Sequence, residues 1–137
     1  MAGEGAGRFV DTNIFLYVIQ AHEEFGKTSL EILKRIDKGE LAITSHINIL
    51  EVCWWLEMHD QVERIEEQLK RISAVLNLGI VPLEYRDFIA ASRLRRTSQV
   101  HFNDCLMVSA MNRMGIEEIY SNDRDFDVFH GIRRRFE

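Results

Sequence analysis

Four acidic side chains stand where an acid is expensive: Asp11, Glu51, Asp104 and Asp123. Asp11 directly follows the apolar pair Phe9-Val10 and precedes Thr12-Asn13. That places it at the carboxyl end of a short strand, the edge of an open parallel sheet where ligands bind. A helix N-cap is the competing reading, since Asp, Thr and Asn all cap well, but three caps in a row exceed what one helix needs. On a helical projection Glu51 falls between Met58 and Trp55, flanked by Trp54 and Leu50. A carboxylate in such an apolar arc must be paired, protonated or bound to a cation, and a buried ion pair with an arginine serves Glu51 alone equally well. Asp104 shares a helix face with Met107, Val108, Met111 and Met114, in a first turn where the helix dipole favours an anion and a plain cap would do the same. Asp123 stands just past the run Ile119-Tyr120-Ser121, and Asp125 and Asp127 follow it in what reads otherwise as a solvated acidic turn.

Singly these signals are weak, but two acids at strand ends and two on apolar helix faces can converge on one crevice. Four carboxylates without a neighbouring lysine cannot all stay ionised unless a cation joins them. All-oxygen ligation suits Mg²⁺ or Mn²⁺ rather than zinc. The five histidines lack zinc spacing, and there is no C-x₂-C, G-x-S-x-G, Walker A or G-x-G-x-x-G motif.

The elements that must carry these acids alternate in type. Strands are expected at Arg8 to Val10, 41–44, 80–83 and 118–121, with an edge strand over 132–136. Helices are expected over 14–21, from the capping box Thr28-x-x-Glu31 to Gly39, over 45–59, through Ile65, Leu69, Ile72 and Leu76, through Tyr85, Phe88, Ile89 and Ser92, and over 103–114. Strands alternating with helices imply crossover connections and a covered parallel sheet. The expected fold is therefore α/β, a three-layer α/β/α sandwich around a central, mostly parallel sheet of four to five strands.

The chain has 137 residues, 46% of them hydrophobic and 28% charged, which excludes a disordered or coiled-coil protein. No apolar run approaches the roughly 20 residues that span a bilayer, so no membrane partner is expected. Residues 1–7 lack the basic and apolar regions of a secretory signal and read as a flexible N-terminal extension, with 8–137 as a single domain. Cys53 and Cys105 lie in apolar stretches and read as buried thiols of a reducing compartment, hence a cytoplasmic protein. The net charge of −5 speaks against nucleic acid, yet no lysine follows Lys70 and the bases beyond it are all arginine, the side chain suited to forked phosphate recognition. A compositional bias explains that equally well.

These motifs resemble the PIN-domain nucleases. Val10-Asp11-Thr12-Asn13, Glu51-Val52, Asn103-Asp104-Cys105-Leu106 and Ser121-Asn122-Asp123-Arg124-Asp125-Phe126 match that family's motifs in order, over Arg8 to Phe129. Cys105 stands where alanine is common and Ser121 where threonine is common; neither removes a ligand. The length is similar to that of the stand-alone VapC-type toxins of toxin–antitoxin pairs. The resemblance implies an endoribonuclease that hydrolyses single-stranded RNA with Mg²⁺ or Mn²⁺ held by Asp11, Glu51, Asp104 and Asp123, with Asp125 the alternative or additional ligand. It implies Asn13 and Ser121 as donors that orient the carboxylates, a homodimer, and a cognate antitoxin. Arg93, Arg95, Arg96 and Arg124 are candidate phosphate contacts, against a solvated basic helix face. A catalytically silent binding module and a receiver-like phospho-accepting switch are the competing functions. The switch wants paired acids after the first strand and a late lysine, and both are missing from the sequence.

Overall fold

The computed structural model of the protein describes residues 7–137. Residues 1–6 of the expected extension lie outside the described residues. Five strands form one sheet: β1 (Arg8–Val10), β2 (Ala42–Ser45), β3 (Leu78–Val81), β4 (Glu118–Tyr120) and β5 (Arg133–Arg135), in the order β3-β2-β1-β4-β5. Every neighbouring pair is parallel, with Phe9 opposite Ile43 on one side and opposite Ile119 on the other. Parallel pairing demands long crossovers. These are α1 (Thr12–Ile19) and α2 (Gly26–Asp37), then α3 (His46–Met58) and α4 (Ile65–Ser73), then α5 (Tyr85–Ser98) and α6 (Phe102–Met114). The last connection, from β4 to β5, holds only a short 3₁₀ turn at Arg124–Val128.

Strand alternation sorts the core into two layers. Val10 and Tyr120 face a cluster with Ile14, Phe15, Ile32, Ile36, Val52, Leu56 and Ile72 from α1 to α4. Phe9 and Ile119 face the opposite cluster with Met107, Val108 and Met111 of α6. Helix α6 is buried continuously from Cys105 to Met111, because α5 covers its other side through Ala91 and Leu94. Arg113 of α6 ties the two helices together with a forked pair to Asp87, both contacts at 2.9 Å. The three-layer expectation therefore holds, with all five strands parallel.

Several boundaries differ from the sequence expectation. Helix α2 starts at Gly26, and the Thr28–Glu31 capping box does not form. His22 accepts the Glu24 and Phe25 N–H groups through Nδ1 in the turn before α2, and its carbonyl accepts the Gly26 N–H, the first donor of the helix, at 2.9 Å. The residues α2 buries are Ser29, Ile32 and Ile36, and Leu30 is exposed. Strand β3 lies two residues earlier than expected. Asn77, at φ 67°, starts it, its amide tied to the Ile36 and Asp37 carbonyls, and Pro82, which cannot donate to a ladder, follows it. Asp60, at φ 56°, separates α3 from α4, and Leu76 lies exposed beyond α4.

The strand order positions the site. From β1 the chain winds outward to β3, then crosses back to lay β4 on the other side of β1. The order reverses between β1 and β4, and the crevice beyond their carboxyl ends is the place where such sheets bind ligands.

Candidate active site

Both strands that flank this switch point end in an acid-bearing turn. Asp11 follows β1 directly. Its backbone N–H is held by the Tyr120 carbonyl at 3.0 Å, and the Val10 carbonyl before it accepts from the Thr44 hydroxyl at 2.9 Å. The Asp11 side chain caps α1 by accepting from the Thr12 N–H at 2.7 Å, and accepts from the Ser121 hydroxyl at 2.7 Å. Capping and a place in the site are thus compatible for one carboxylate. Burial pushes the Asp11 carboxyl up to about 7, against the lowering effect of those two hydrogen bonds and helped by the charges of Glu51 and Asp123.

After β4, Ser121 works in two directions. Its oxygen accepts the Asp123 N–H at 2.9 Å and its proton goes to Asp11, so one buried hydroxyl couples the two strand ends. Asp123 then caps the 3₁₀ turn by accepting from the Asp125 N–H at 2.9 Å. Asp104 comes from the first turn of α6. One carboxylate oxygen each of Asp104, Asp123 and Asp125 lies within 4.8 Å of the others. Burial is the largest cause that pushes Asp104 up to about 8, and the charges of Asp11, Asp123, Glu51 and Asp125 add to it in that order. Glu51, on α3, accepts from the Thr12 hydroxyl at 2.5 Å and from the Asn103 amide at 3.1 Å.

The four acids singled out in the sequence, and Asp125 with them, thus gather at one end of the sheet. Among the described residues, none of the five forms an ion pair with a lysine, arginine or histidine. The donor set fits a hard divalent cation: carboxylates only, crowded and unbalanced by any side chain.

Other sequence readings fare differently. The apolar arc around Glu51 is divided: Leu50, Trp54 and Met58 are each about 60% exposed, Trp55 packs half-buried against the core, and the residues α3 buries fully are Asn48, Val52 and Leu56. Glu51 is therefore half-buried at the border of an exposed apolar stripe. Asn13 reaches the Ser121 hydroxyl at 3.5 Å and touches no carboxylate, while its own carbonyl oxygen is buried without a hydrogen-bond partner. Arg93, Arg95 and Arg96 lie on the exposed surface of α5, and Arg124 is exposed between Asp123 and Asp125. The sequence did not mark Thr12 and Asn103 as the partners of Glu51, nor Asn48 as the residue behind Thr12. The spacing Ser45-x-x-Asn48 was the available signal, a capping box with Asn in place of the usual Glu or Gln.

Comparison with known proteins places the chain among relatives of one kind. It is 29% identical over 121 residues to a protein named VapC ribonuclease from Aquifex aeolicus, covering 87% of this chain and 89% of that one. Its fold is similar to VapBC2 from Rickettsia felis bound to a promoter DNA fragment, with a TM-score of 0.74 at 17% identity, covering 93% of this chain and 96% of that one. It is similar also to the sarcin-ricin loop cleaving toxin VapC20 of Mycobacterium tuberculosis, with a TM-score of 0.69 at 21% identity, covering 87% and 92%. The family model of the PIN domain matches residues 8–131, nearly all of the described chain, and this protein belongs to the PIN domain family.

Proposed function

We propose that the protein is a divalent-metal-dependent endoribonuclease that hydrolyses phosphodiester bonds of single-stranded RNA, acting as the toxin of a toxin–antitoxin pair. The observation that carries the chemistry is the five-carboxylate cluster without a balancing cation at the switch point between β1 and β4. The choice of RNA is supported by relatives that bear the name ribonuclease.

In this reading Asp104, Asp123 and Asp125, with Asp11 and Glu51 beside them, hold Mg²⁺ or Mn²⁺. When bound, the ion supplies Lewis-acid polarisation of a phosphoryl oxygen and lowers the pKa of a coordinated water. The protein supplies the rest. Thr12 and Asn103 hold Glu51, and Ser121 orients Asp11 toward the cluster. Burial and mutual repulsion keep Asp11 and Asp104 partly protonated near neutral pH, so loading the site releases protons. The exposed guanidinium groups of Arg93, Arg95, Arg96 and Arg124 are available to phosphates by electrostatic attraction. The receiver-like alternative wants a lysine at the acids, and among the described residues none pairs with them.

Two surfaces suit the partners this reading calls for. An apolar groove of about 390 Å³ between α1, α2 and α4 is lined by Phe15, Ile19, Leu33, Ile72 and Val75, with Lys34, Arg64, Arg71 and Asp37 also bordering it. It fits the apolar face of an antitoxin helix, in keeping with neighbours solved as toxin–antitoxin complexes. The exposed stripe of Leu50, Trp54 and Met58 on α3 suits a second copy of the chain. No helix among the described residues is long and apolar enough to cross a membrane, and both cysteines are free, in keeping with a cytoplasmic protein.

The test is cleavage of single-stranded RNA with Mg²⁺ or Mn²⁺ and with EDTA. Cleavage only with metal supports the reading. Cleavage that survives EDTA, or none under any condition, removes it and leaves a silent binding module.

A further inference from the structure

We infer that Asn48 is a positioning residue of the carboxylate cluster: it fixes the direction in which Thr12 donates its hydroxyl proton and thereby aims Glu51. The inference rests on the metal-site reading above and extends it to a residue with no contact to any of the five acids.

Asn48 is fully buried on the inner side of α3. Its Oδ1 accepts from the Ser45 backbone N–H at 3.1 Å and from the Ser45 hydroxyl at 2.7 Å. A backbone N–H can only donate, so the oxygen of the amide is pinned at Ser45 and the nitrogen must face the other way. There Nδ2 lies 3.0 Å from the Thr12 hydroxyl oxygen and 3.3 Å from the Met107 sulfur. An amide nitrogen also only donates, so the Thr12 oxygen accepts from Asn48. The single hydroxyl proton of Thr12 is then left for its remaining neighbour, Glu51 Oε1, at 2.5 Å. With Glu51 as a carboxylate, which can only accept, no link in this chain can reverse. The second oxygen of Glu51 accepts from Asn103 of α6 at 3.1 Å, so one donor on each oxygen holds the carboxylate.

A cap alone does not require this residue. Glu or Gln is the usual partner in a capping box, and a carboxylate there satisfies the Ser45 N–H as well as an amide does. Only an amide nitrogen aimed at Thr12 forces the proton toward Glu51. Asn48 therefore carries two jobs: capping α3 through its oxygen and aiming Glu51 through its nitrogen. Partners of this kind, behind a ligand, commonly set metal affinity by about 10–100-fold.

The experiment is Mn²⁺ titration calorimetry on the full chain for the wild type, Thr12→Val, Thr12→Ser, Asn48→Ser and the double variant Thr12→Val/Asn48→Ser, with a melting curve for each. Asn48→Ser keeps a polar atom near the Ser45 N–H and is too short to reach Thr12; Asn48→Thr takes its place if it does not fold. The expected result is Mn²⁺ affinity about tenfold weaker in Thr12→Val and in Asn48→Ser, near wild type in Thr12→Ser, and no weaker in the double variant than in Thr12→Val. Non-additivity is the signature of residues acting through one contact; a merely structural Asn48 would lower melting and leave the cycle additive. Wild-type affinity in folded Asn48→Ser, losses that multiply, or a Thr12→Ser as weak as Thr12→Val each overturn the inference. A wild-type chain that binds no Mn²⁺ counts against the metal reading instead. In that case crystals of Asn48→Ser decide the inference: a displaced Glu51 side chain supports it, and an unmoved one overturns it.

Discussion

The two ends of the same sheet treat acids in opposite ways. At the amino ends of the strands, Glu40 and Glu118 meet arginines: Arg8 bonds Glu40 at 2.8 Å and Glu118 at 3.4 Å, and Arg135 bonds Glu118 at 2.6 Å. The Tyr120 hydroxyl joins them, accepting from Arg8 at 2.6 Å and donating to Glu40. Burial alone would push Glu118 up, but its arginine partners outweigh burial and hold it below the usual carboxylate range. At the carboxyl ends, Asp11 and Asp104 are pushed up to about 7 and about 8, by burial first and then by one another's neighbours. Both ends carry carboxylates; they differ in the arginines at one end and in the deep burial of Asp11 at the other. One end is an internally balanced joint between strands, and the other carries negative charge that no described side chain neutralises, which is the electrostatic requirement for a cation site.

Substitutions at the two ends should separate activity from stability. The largest effect is expected for Asp104→Asn, which should lower RNA cleavage by more than the about 10–100-fold typical of residues behind a ligand, with a native circular-dichroism spectrum. Wild-type activity in that variant would show that the carboxyl end is not the reacting end. Arg8→Ala should act in the opposite sense. It strips charge-assisted hydrogen bonds from half-buried partners and should cost about 2 kcal/mol, read by denaturant unfolding, while Mn²⁺ affinity stays at the wild-type value. Weakened Mn²⁺ binding in Arg8→Ala would mean that the two ends are coupled.

A smaller effect concerns pH. A carboxyl whose folded pKa is raised above its unfolded value opposes folding once pH passes the unfolded value, because the native state then holds the extra proton. The metal-free protein should therefore lose stability from about pH 4, the ordinary carboxylate range, until pH exceeds the folded values of about 7 and about 8 for Asp11 and Asp104. At pH 8 metal-free Asp104→Asn should melt above the wild type, by about 3–6 °C for a gain of about 1–2 kcal/mol. A variant that melts well below the wild type would make Asp104 a structural cap and move the cluster elsewhere.

The contrast between the ends also explains which parts were legible in the sequence. Strand ends and helix starts were readable because acids there break an apolar pattern, as Asp11 does after Phe9-Val10 and Asp104 before Cys105-Leu106. The alternation that gave the three-layer sheet was equally local. What escaped was set by contacts distant in sequence. The arc of Leu50, Trp54 and Met58 looked like a core face, but α3 rests on the sheet through Asn48, Val52 and Leu56. The arc that singled out Glu51 is thus half-buried only on its Trp55 side; an apolar stripe reads alike whether it is buried or exposed. Thr12 and Asn48 carry no charge, so nothing in the sequence separated their link to Glu51 from ordinary capping.

The central claim is that the acids at the carboxyl ends form a cation site held partly protonated by burial and repulsion. Calorimetric Mn²⁺ titration at pH 7 in two buffers of different ionisation enthalpy measures both the binding and the protons released with it. Because Asp11 and Asp104 titrate near 7 and 8, Mn²⁺ should bind with release of on the order of one proton per ion, a release that fades above about pH 9 and is reduced in Asp104→Asn. No binding, or binding with no proton release at pH 7, would contradict the account.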